Sequence, residues 1–220
     1  MTFLNLKCFY SLGLFSYMED EKRARIRARA DAVKPYRCRY VVAVIEDPKN
    51  IKNVGTIIRN VNALGIEKTY IIDPGHKLPD DWEKMREHRD LSCTSVSAVK
   101  WSFVRRFDST QDCIDHLEKN RYTSVVTSPH LKGNKNVILD EADFGVYPKL
   151  AVWFGNESKG ISDLAVKNSE LCVNLPMFGM IESLNLGTSS GIVLYEVAKQ
   201  RRAYGRKYKY RNQRGRRYVA

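Results

Sequence analysis

Three short segments of the chain carry charged and amide side chains where simple core packing does not require them. They are residues 53 to 59, 154 to 160 and 175 to 185. Each is rich in glycine and in uncharged hydrogen-bonding residues, which is typical of a junction between a loop and a helix. Arg59 and Glu157 lie in the first two junctions, and such groups can stabilise charge that develops during a reaction. The three junctions are therefore candidate functional sites.

The first junction opens a predicted helix over residues 53 to 65, in which Arg59 lies opposite the apolar face. A glycine inside a helix costs about 1 kcal/mol relative to alanine, so we expect Gly55 to have a positional reason, namely space beside Arg59. An alternative needs no function: Arg59 is simply exposed to solvent and Asn53 caps the helix. This junction alone leaves both interpretations open.

The second junction has the spacing of a phosphate loop between Gly155 and Gly160. Ile161 stands where such a loop needs lysine, and Glu157 would repel a phosphate, so a nucleotide triphosphate site is not expected. What remains is a tight turn at the carboxyl end of a strand, the usual ligand position in open α/β sheets. The alternative is an ordinary turn in which Ser162 caps the next helix.

The third junction leaves a short strand and opens a helix predicted over residues 182 to 202. Leu175, Met177 and Leu184 could form walls for an adenine ring, with backbone groups reading its edge. Small residues from 187 to 191 permit a close approach of another backbone or of a ligand. The alternative is a small-residue helix packed in the core.

The elements around these junctions alternate between strand and helix, which predicts an α/β fold with a parallel sheet and helices on both faces. A loop is expected over residues 132 to 147, the least periodic part of the body. Strands are expected over residues 40–45, 68–73, 99–107, 123–127, 150–154 and 171–174, with further helices over 23–32, 80–89, 111–120 and 161–168.

The composition restricts the class of protein. The 220 residues suit one domain with appendages, and no apolar run approaches the roughly 20 residues of a membrane span. The five cysteines are widely spaced and form no C-x-x-C pair, so neither a disulfide framework nor a metal site is expected, and a reducing cytoplasm fits.

The net charge of +12 is concentrated in two terminal extensions. The chain divides into an N-terminal extension (residues 1–39, of which 1–17 are expected to be disordered and 18–39 basic and helical), a nearly neutral body (40–198) and a basic tail (199–220). Basic extensions with interleaved tyrosines favour contact with nucleic acid, although a solvated tail is the simpler alternative. The candidate RNA-binding residues are Arg25, Arg29, Arg201, Arg202, Arg206 and Lys207.

Taken in order, the three junctions resemble the signature of the SpoU family of RNA ribose 2'-O-methyltransferases, in particular its tRNA guanosine enzymes. The family patterns are N-x-G-x-x-x-R, G-x-E-x-x-G, and P-M-x-G followed by S-L-N, and the resemblance covers about residues 40 to 198. The matching residues are Asn53, Gly55 and Arg59; Gly155, Glu157 and Gly160; and Pro176, Met177, Gly179, Ser183, Leu184 and Asn185.

This resemblance implies a deep C-terminal trefoil knot that binds S-adenosylmethionine, and a homodimer packed through the knot region. It also implies a tRNA substrate, and short basic extensions most resemble enzymes that methylate a D-loop guanosine. Ribosomal RNA, the tRNA wobble nucleotide, or RNA binding without catalysis are the alternatives. The implied catalytic residues are Arg59, Asn53, Glu157 and Asn185, and the implied cofactor-binding residues are Gly155, Leu175, Met177, Ser183 and Leu184.

Overall fold

A computed structural model of the chain describes residues 20–133 and 135–216, with the side chains of Trp82 and of residues 205–216 outside the description. The chain divides into two units between Arg37 and Cys38. In the first unit, residues 20–33 form helix α1, followed by a 3-10 turn at Lys34–Tyr36. The predicted basic helix is thus present, while the expectation for residues 1–17 lies outside the described residues.

The second unit is built on a parallel sheet of seven strands in the order β3-β2-β1-β6-β4-β7-β5. Its central strands are continuous apolar runs, as expected for strands buried on both faces. The strands are β1 (Cys38–Glu46), β2 (Ile66–Ile72), β3 (Phe103–Phe107), β4 (Thr123–Thr127), β5 (Asn136–Ile138), β6 (Leu150–Phe154) and β7 (Leu171–Asn174).

Helices cover both faces of this sheet, which confirms the predicted α/β architecture. On one face, α2 and α7 pack in the core cluster that contains Phe154, and on the other, α5 and α6 pack in the cluster that contains Trp153. None of the helices described has the length and apolar character that a membrane span requires. The helices are α2 (Ile51–Ala63), α3 (Trp82–Glu87), α4 (Arg89–Thr94), α5 (Thr110–Lys119), α6 (Asp163–Lys167) and α7 (Leu186–Arg216).

The strand order brings the three junctions to one edge of the sheet. Strand β6 lies beside β1 although more than 100 residues separate them, and Ile45 pairs with Phe154 at their carboxyl ends. Both strands therefore release their loops at the same place. Strand β7 runs parallel to these strands, so the segment that follows it leaves from the same edge.

Several predicted elements differ from the observed ones. The helix expected over residues 80–89 is two short helices that meet at His88, whose extended ψ of 119° breaks the helical path. A 3-10 turn at Ala98–Trp101 precedes β3, so the strand begins later than predicted. The region 132–147 was wrongly assigned as loop, since it contains the three-residue edge strand β5.

Two predicted helix starts were also wrong. Helix α2 begins at Ile51, and the side chain of Asn50 caps it by accepting from the Lys52 amide at 2.9 Å; Asn53 therefore lies in the first turn and is not the cap. Helix α7 begins at Leu186, four residues later than predicted, and continues without a break from the body into the basic tail.

Candidate functional site

The carboxylate of Glu157 joins the loop after β6 to the start of α2. It accepts hydrogen bonds from the backbone amides of Lys49 (2.7 Å) and Asn50 (3.1 Å) and from the side-chain amide of Asn53 (2.9 Å). Three donors from one short segment leave this carboxylate little freedom. Glu157 therefore holds the first junction in place.

The same contacts set the ionisation of Glu157. Partial burial acts to raise its pKa, but hydrogen bonds from the Asn53 side chain and from the amides of Lys49 and Asn50 lower it, and the pKa lies below its ordinary value. Hydrogen bonds to the charged form of an acid have this effect. Glu157 is thus an ionised anchor at neutral pH and cannot serve as a proton donor.

Asn53 links this anchor to the third junction. Its side-chain oxygen accepts a hydrogen bond from the amide group of Asn185 at 3.2 Å. The side-chain oxygen of Asn185 in turn accepts from the backbone amide of Gly187 at 2.8 Å, in the first turn of α7. One chain of hydrogen bonds therefore runs from Glu157 through Asn53 to Asn185, and three of the four predicted catalytic residues meet.

The loop after β6 is also fixed internally. A Cβ at Gly155 would lie 2.3 Å from the Ile161 nitrogen and 2.4 Å from the Gly160 carbonyl carbon, so only glycine fits there. The side chain of Asn156 accepts from the amides of Ser158 (2.8 Å) and Lys159 (3.0 Å) and donates to the backbone carbonyl of Asp47 (2.5 Å). The loop thus has one well-determined conformation.

A second carboxylate supports the far side of this loop. Glu46, at the end of β1, is 4% exposed. It accepts from the hydroxyl (2.6 Å) and amide (2.8 Å) of Ser162 and from the hydroxyl of Thr110 (2.7 Å). Ser162 also caps α6 by accepting from Ala165 at 3.1 Å, as the simpler interpretation of the second junction expected.

The segment after β7 contrasts with this loop. Leu175, Met177 and Leu184 are half-buried and Ser183 is exposed. In the described structure no backbone group of residues 175 to 184 takes part in a hydrogen bond. Free backbone donors and acceptors beside half-buried apolar side chains can bind the polar edge and the faces of a planar heterocycle.

The structure leaves Arg59 apart from the hydrogen-bonded residues. Its side chain is exposed, and within the described part of the chain it makes no hydrogen bond or ion pair. It lies six residues beyond Asn53, about 9 Å along the helix axis. A ligand that contacts Arg59 must therefore approach the exposed face of α2.

The reason expected for Gly55 was wrong. A Cβ at this position would lie 1.7 Å from the hydroxyl oxygen of Thr94. Gly55 therefore allows α4 to pack against α2, and it does not clear space for Arg59.

The predicted RNA-binding residues fall into three groups. Arg25 and Arg29 are exposed on α1. Arg201 donates to the backbone carbonyls of Tyr147 and Pro148, and Arg202 to that of Leu64 at 3.0 Å, so both fasten α7 to the sheet unit. The side chains of Arg206 and Lys207 lie outside the description.

One cluster consists of residue types that can bind a metal ion, and an arginine side chain contacts all three of its members. His76, Asp80 and Asp108 bring possible ligand atoms within 4.8 Å of one another. The guanidinium of Arg106 lies 2.9 Å from the Nδ1 of His76 and forms ion pairs with both aspartates. These contacts account for the cluster without a metal ion.

Sequence reasoning missed two residues that support the site. Glu46 was visible as an acid directly after an apolar strand, where a buried charge requires partners. Asn156 was visible between Gly155 and Glu157 in the second junction. Neither was selected, because nothing local indicated that β1 lies beside β6.

The chain is similar to known proteins in sequence and in fold. The model of the SpoU rRNA Methylase family matches residues 40–195. A tRNA (guanosine(18)-2'-O)-methyltransferase of Borreliella burgdorferi is 26% identical over 187 residues, which are 84% of this chain and 77% of the relative. The protein of the same name from Aquifex aeolicus is 28% identical over 192 residues, 87% of this chain and 83% of the relative.

Two solved structures are similar in fold. The A. aeolicus TrmH/SpoU tRNA modifying enzyme superimposes with a TM-score of 0.65 at 23% identity, covering 81% of this chain and 85% of its own. The SpoU methyltransferase AviRb from Streptomyces viridochromogenes, in complex with the cofactor AdoMet, superimposes with a TM-score of 0.61 at 25% identity, covering 74% and 60%.

Proposed function

The chain belongs to the SpoU rRNA methylase family, and from this premise we propose that it transfers a methyl group from S-adenosylmethionine to a ribose 2'-OH in RNA. The observation that carries the proposal is the hydrogen-bonded series Glu157, Asn53 and Asn185, which joins the three motifs of the family at one edge of the sheet. A binding protein without chemistry would not need Glu157, Asn53 and Asn185 joined by hydrogen bonds at one edge of the sheet.

S-adenosylmethionine supplies the methyl group of this reaction. Leu175, Met177 and Leu184 would enclose its adenine, and the unpaired backbone groups of residues 175 to 184 would read the polar edge. Gly155 and Ser183 complete the proposed binding residues.

Arg59 is proposed to act on the ribose electrostatically. As the 2'-oxygen attacks the methyl carbon, the bond between this carbon and the sulfonium sulfur breaks and S-adenosylhomocysteine leaves. The 2'-OH loses its proton to water in this step, and its oxygen gains negative charge in the transition state. A guanidinium remains protonated in proteins, and it can stabilise that charge or hold the adjacent phosphate without accepting a proton. The exposed and unpaired state of Arg59 leaves it available for this role.

The proposed substrate is a guanosine in the D loop of tRNA. The relatives from B. burgdorferi and A. aeolicus are named as tRNA guanosine-18 enzymes, and they match at least 84% of this chain. Ribosomal RNA and the tRNA wobble nucleotide are the competing substrates.

The assembly proposed for the protein is a homodimer of knotted subunits. The hydrogen bond from Asn185 to Asn53 returns the chain from β7 to α2, across the strands between them, which supports a threaded connection. Phe178, Met180 and Ile181 are 97%, 100% and 62% exposed, and a second subunit would cover such an apolar group.

The body and the two basic extensions are proposed to have different tasks. Residues 40–198 form the methyltransferase domain, and the basic extensions at 1–39 and 199–220 bring RNA to it. The proposed contacts are Arg25, Arg29, Arg206 and Lys207, together with those N–H groups of Arg201 and Arg202 that do not hold α7. The unpaired state of Cys38, Cys93, Cys113 and Cys172 supports a cytoplasmic location.

The test is incubation of the full chain with unmodified total RNA and labelled S-adenosylmethionine, followed by mapping of the 2'-O-methylated nucleotide. We expect label at one tRNA guanosine. Label in ribosomal RNA or at the wobble position would show that the substrate is that RNA and not a D-loop guanosine. RNA binding without any label would overturn the enzymatic proposal. A thermal shift with S-adenosylmethionine but not with ATP checks the cofactor separately.

A further inference from the structure

A group of cations and aromatic rings lies mostly near the edge of the sheet where the strands begin, with Arg105 further along β3. We call it the amino-edge surface and define it as Lys68, Phe103, Arg105, Tyr122 and Lys149. Lys68 pairs with Phe103 across β2 and β3, and Tyr70 pairs with Arg105, so Lys68, Phe103 and Arg105 point to the same face of the sheet. Tyr122 and Lys149 directly precede β4 and β6.

Two lysines of this surface share one aromatic ring. The ammonium of Lys68 lies 5.8 Å from the centre of the Tyr122 ring and that of Lys149 lies 5.4 Å from it. Lys68 also donates to the Tyr122 hydroxyl at 3.2 Å, which leaves that hydroxyl able to donate in turn. The ring thus holds two positive charges close together.

Arg105 extends the positive charge along the edge strand. Its guanidinium lies 4.7 Å from the centre of the Phe107 ring and 3.2 Å from the Nδ1 of His116. His116 also lies 3.3 Å from the hydroxyl of Tyr70. The neighbours of Arg105 are therefore neutral aromatic groups.

Within the residues that the structure describes, none of Lys68, Arg105 and Lys149 forms an ion pair with a carboxylate. The pKa of His116 is lowered, first by burial and then by the charges of Arg105, Lys68 and Lys119. Glu67 is the adjacent residue of β2, so its carboxylate points to the opposite face from Lys68. Like charges gathered without a counter-charge disfavour the isolated protein unless an anion binds between them.

Phe103 adds a different kind of contact. Its side chain is 65% exposed on the edge strand β3, beside Lys68. An exposed aromatic ring flanked by cations can stack with an unpaired base while the cations hold the backbone phosphates. Charge and stacking together favour a nucleic acid over a simple anion.

The location of the surface separates it from the catalytic centre. Lys149 directly precedes β6 and Gly155 directly follows it, so about 20 Å of extended chain lies between the two positions. A folded RNA is long enough to contact both edges of the sheet. The amino-edge surface also belongs to the nearly neutral body, where no RNA contact was expected from charge.

We propose that the amino-edge surface is a second RNA-binding surface, which holds the substrate RNA through phosphate contacts of Lys68, Arg105 and Lys149 and through a base stacked on Phe103. This inference rests on the proposed RNA substrate. It adds a body surface to the contacts of the two extensions.

Binding of an unmodified tRNA transcript by the full chain, measured over a range of salt concentrations, tests the charge contacts. Lys68→Gln with Arg105→Gln should weaken binding about tenfold at 0.1 M salt and make the salt dependence shallower by about one unit of log-log slope per lost phosphate contact. The matched control is Lys84→Gln with Arg89→Gln, two exposed cations on α3 and α4 at the other face. The control should bind with the affinity and the slope of the wild type.

Phe103→Ser tests the stacking contact independently. It should weaken binding by about fivefold or more at every salt concentration without changing the slope, because a stacked base releases no counterions. All variants should keep the S-adenosylmethionine affinity and the melting temperature of the wild type, which shows that they fold.

The outcomes separate this inference from the proposed function. If the wild type binds and methylates tRNA while the variants of Lys68, Arg105 and Phe103 bind it as tightly as the control does, the amino-edge surface is refuted and the proposed function stands. If the wild type neither binds nor methylates RNA, the proposed function fails and this inference fails with it.

Discussion

The loop after β6 and the segment after β7 lie at the same edge of one sheet, yet they are held in opposite ways. In the first, the side chains of Glu157 and Asn156 each make three hydrogen bonds of 3.1 Å or less. In the second, residues 175 to 184 have no backbone hydrogen bond to any residue that the structure describes, and Phe178 and Met180 are almost fully exposed.

The difference indicates that the two regions have different tasks. A loop fixed by its own chain costs nothing to order when substrate arrives, so it suits the positioning of reacting groups. A segment with unpaired backbone groups needs partners, which a ligand or a second subunit would provide. The first region is therefore a preformed support, and the second is a surface to be completed.

Arg59→Ala is expected to have the largest effect. Neither the loop after β6 nor the segment after β7 is proposed to contribute a group that stabilises charge on the ribose, and Arg59 is proposed to do so. Turnover should fall about 10³-fold, as when one stabiliser of a developing oxyanion is removed. S-adenosylmethionine affinity should stay within severalfold, and stability should not change because the side chain is exposed and unpaired. Single-turnover methylation of tRNA and calorimetric titration of the cofactor measure both quantities.

The control for Arg59→Ala is Arg89→Ala, another exposed arginine, on the neighbouring helix α4. It should retain full turnover. Near-normal turnover of Arg59→Ala would show that this residue does not take part in the chemistry and would leave Glu157, Asn53 and Asn185 as the remaining candidates.

A pair of glycine substitutions tests the comparison directly. Gly155→Ala should destabilise the fold by about 2 kcal/mol, because the new Cβ would meet the backbone of Gly160 and Ile161 within 2.6 Å. Gly179→Ala should be neutral within about 0.5 kcal/mol, since nothing lies within 4 Å of its added Cβ. Urea unfolding followed by tryptophan fluorescence distinguishes them, and equal effects would contradict the assigned rigidity.

Glu157→Gln should have a smaller effect that depends on pH. The amide keeps the shape but accepts hydrogen bonds less strongly, and for an exposed group we expect a loss of about 1 kcal/mol at neutral pH. Because the folded-state pKa lies below the ordinary value of 4.5, the stabilisation is present above pH 4.5. It is lost as the pH falls through the lowered folded-state pKa.

The measurement for Glu157→Gln is urea unfolding of both proteins at about pH 7 and at a series of pH values below 4.5, the range in which the stabilisation is lost. The difference between variant and wild type should shrink at the lower pH values. A difference that stays constant would mean that the charge of Glu157 does not hold the first junction.

The elements that sequence predicted best are those whose cause is local. Strands β6 and β7 have the bounds that their continuous apolar runs indicated. The break at His88 and the three-residue strand β5 have no such signal, because no glycine or proline marks the break and three residues show no periodicity. Local patterns thus determined the framework but not its interruptions.

The candidate site was predictable as a set of residues but not as an arrangement. The motifs selected Glu157, Asn53 and Asn185, yet the contact between Glu157 and Asn53 spans 104 residues and depends on β6 lying beside β1. The role predicted for Gly55 was wrong for the same reason, since its neighbour Thr94 belongs to a helix that is close in space but far along the sequence. Contacts between distant segments follow from strand order, which one sequence does not reveal.

The smallest effect is expected in the segment after β7. Phe178→Ser with Met180→Ser should change the unfolding free energy of the isolated subunit by less than about 0.5 kcal/mol, because side chains that are 97% and 100% exposed bury no area on folding. Unfolding is followed at concentrations where the chain is monomeric, so that subunit association does not contribute. A larger loss would show that these side chains pack within their own subunit, and the contrast with the loop after β6, where one added methyl group destabilises the fold, would disappear.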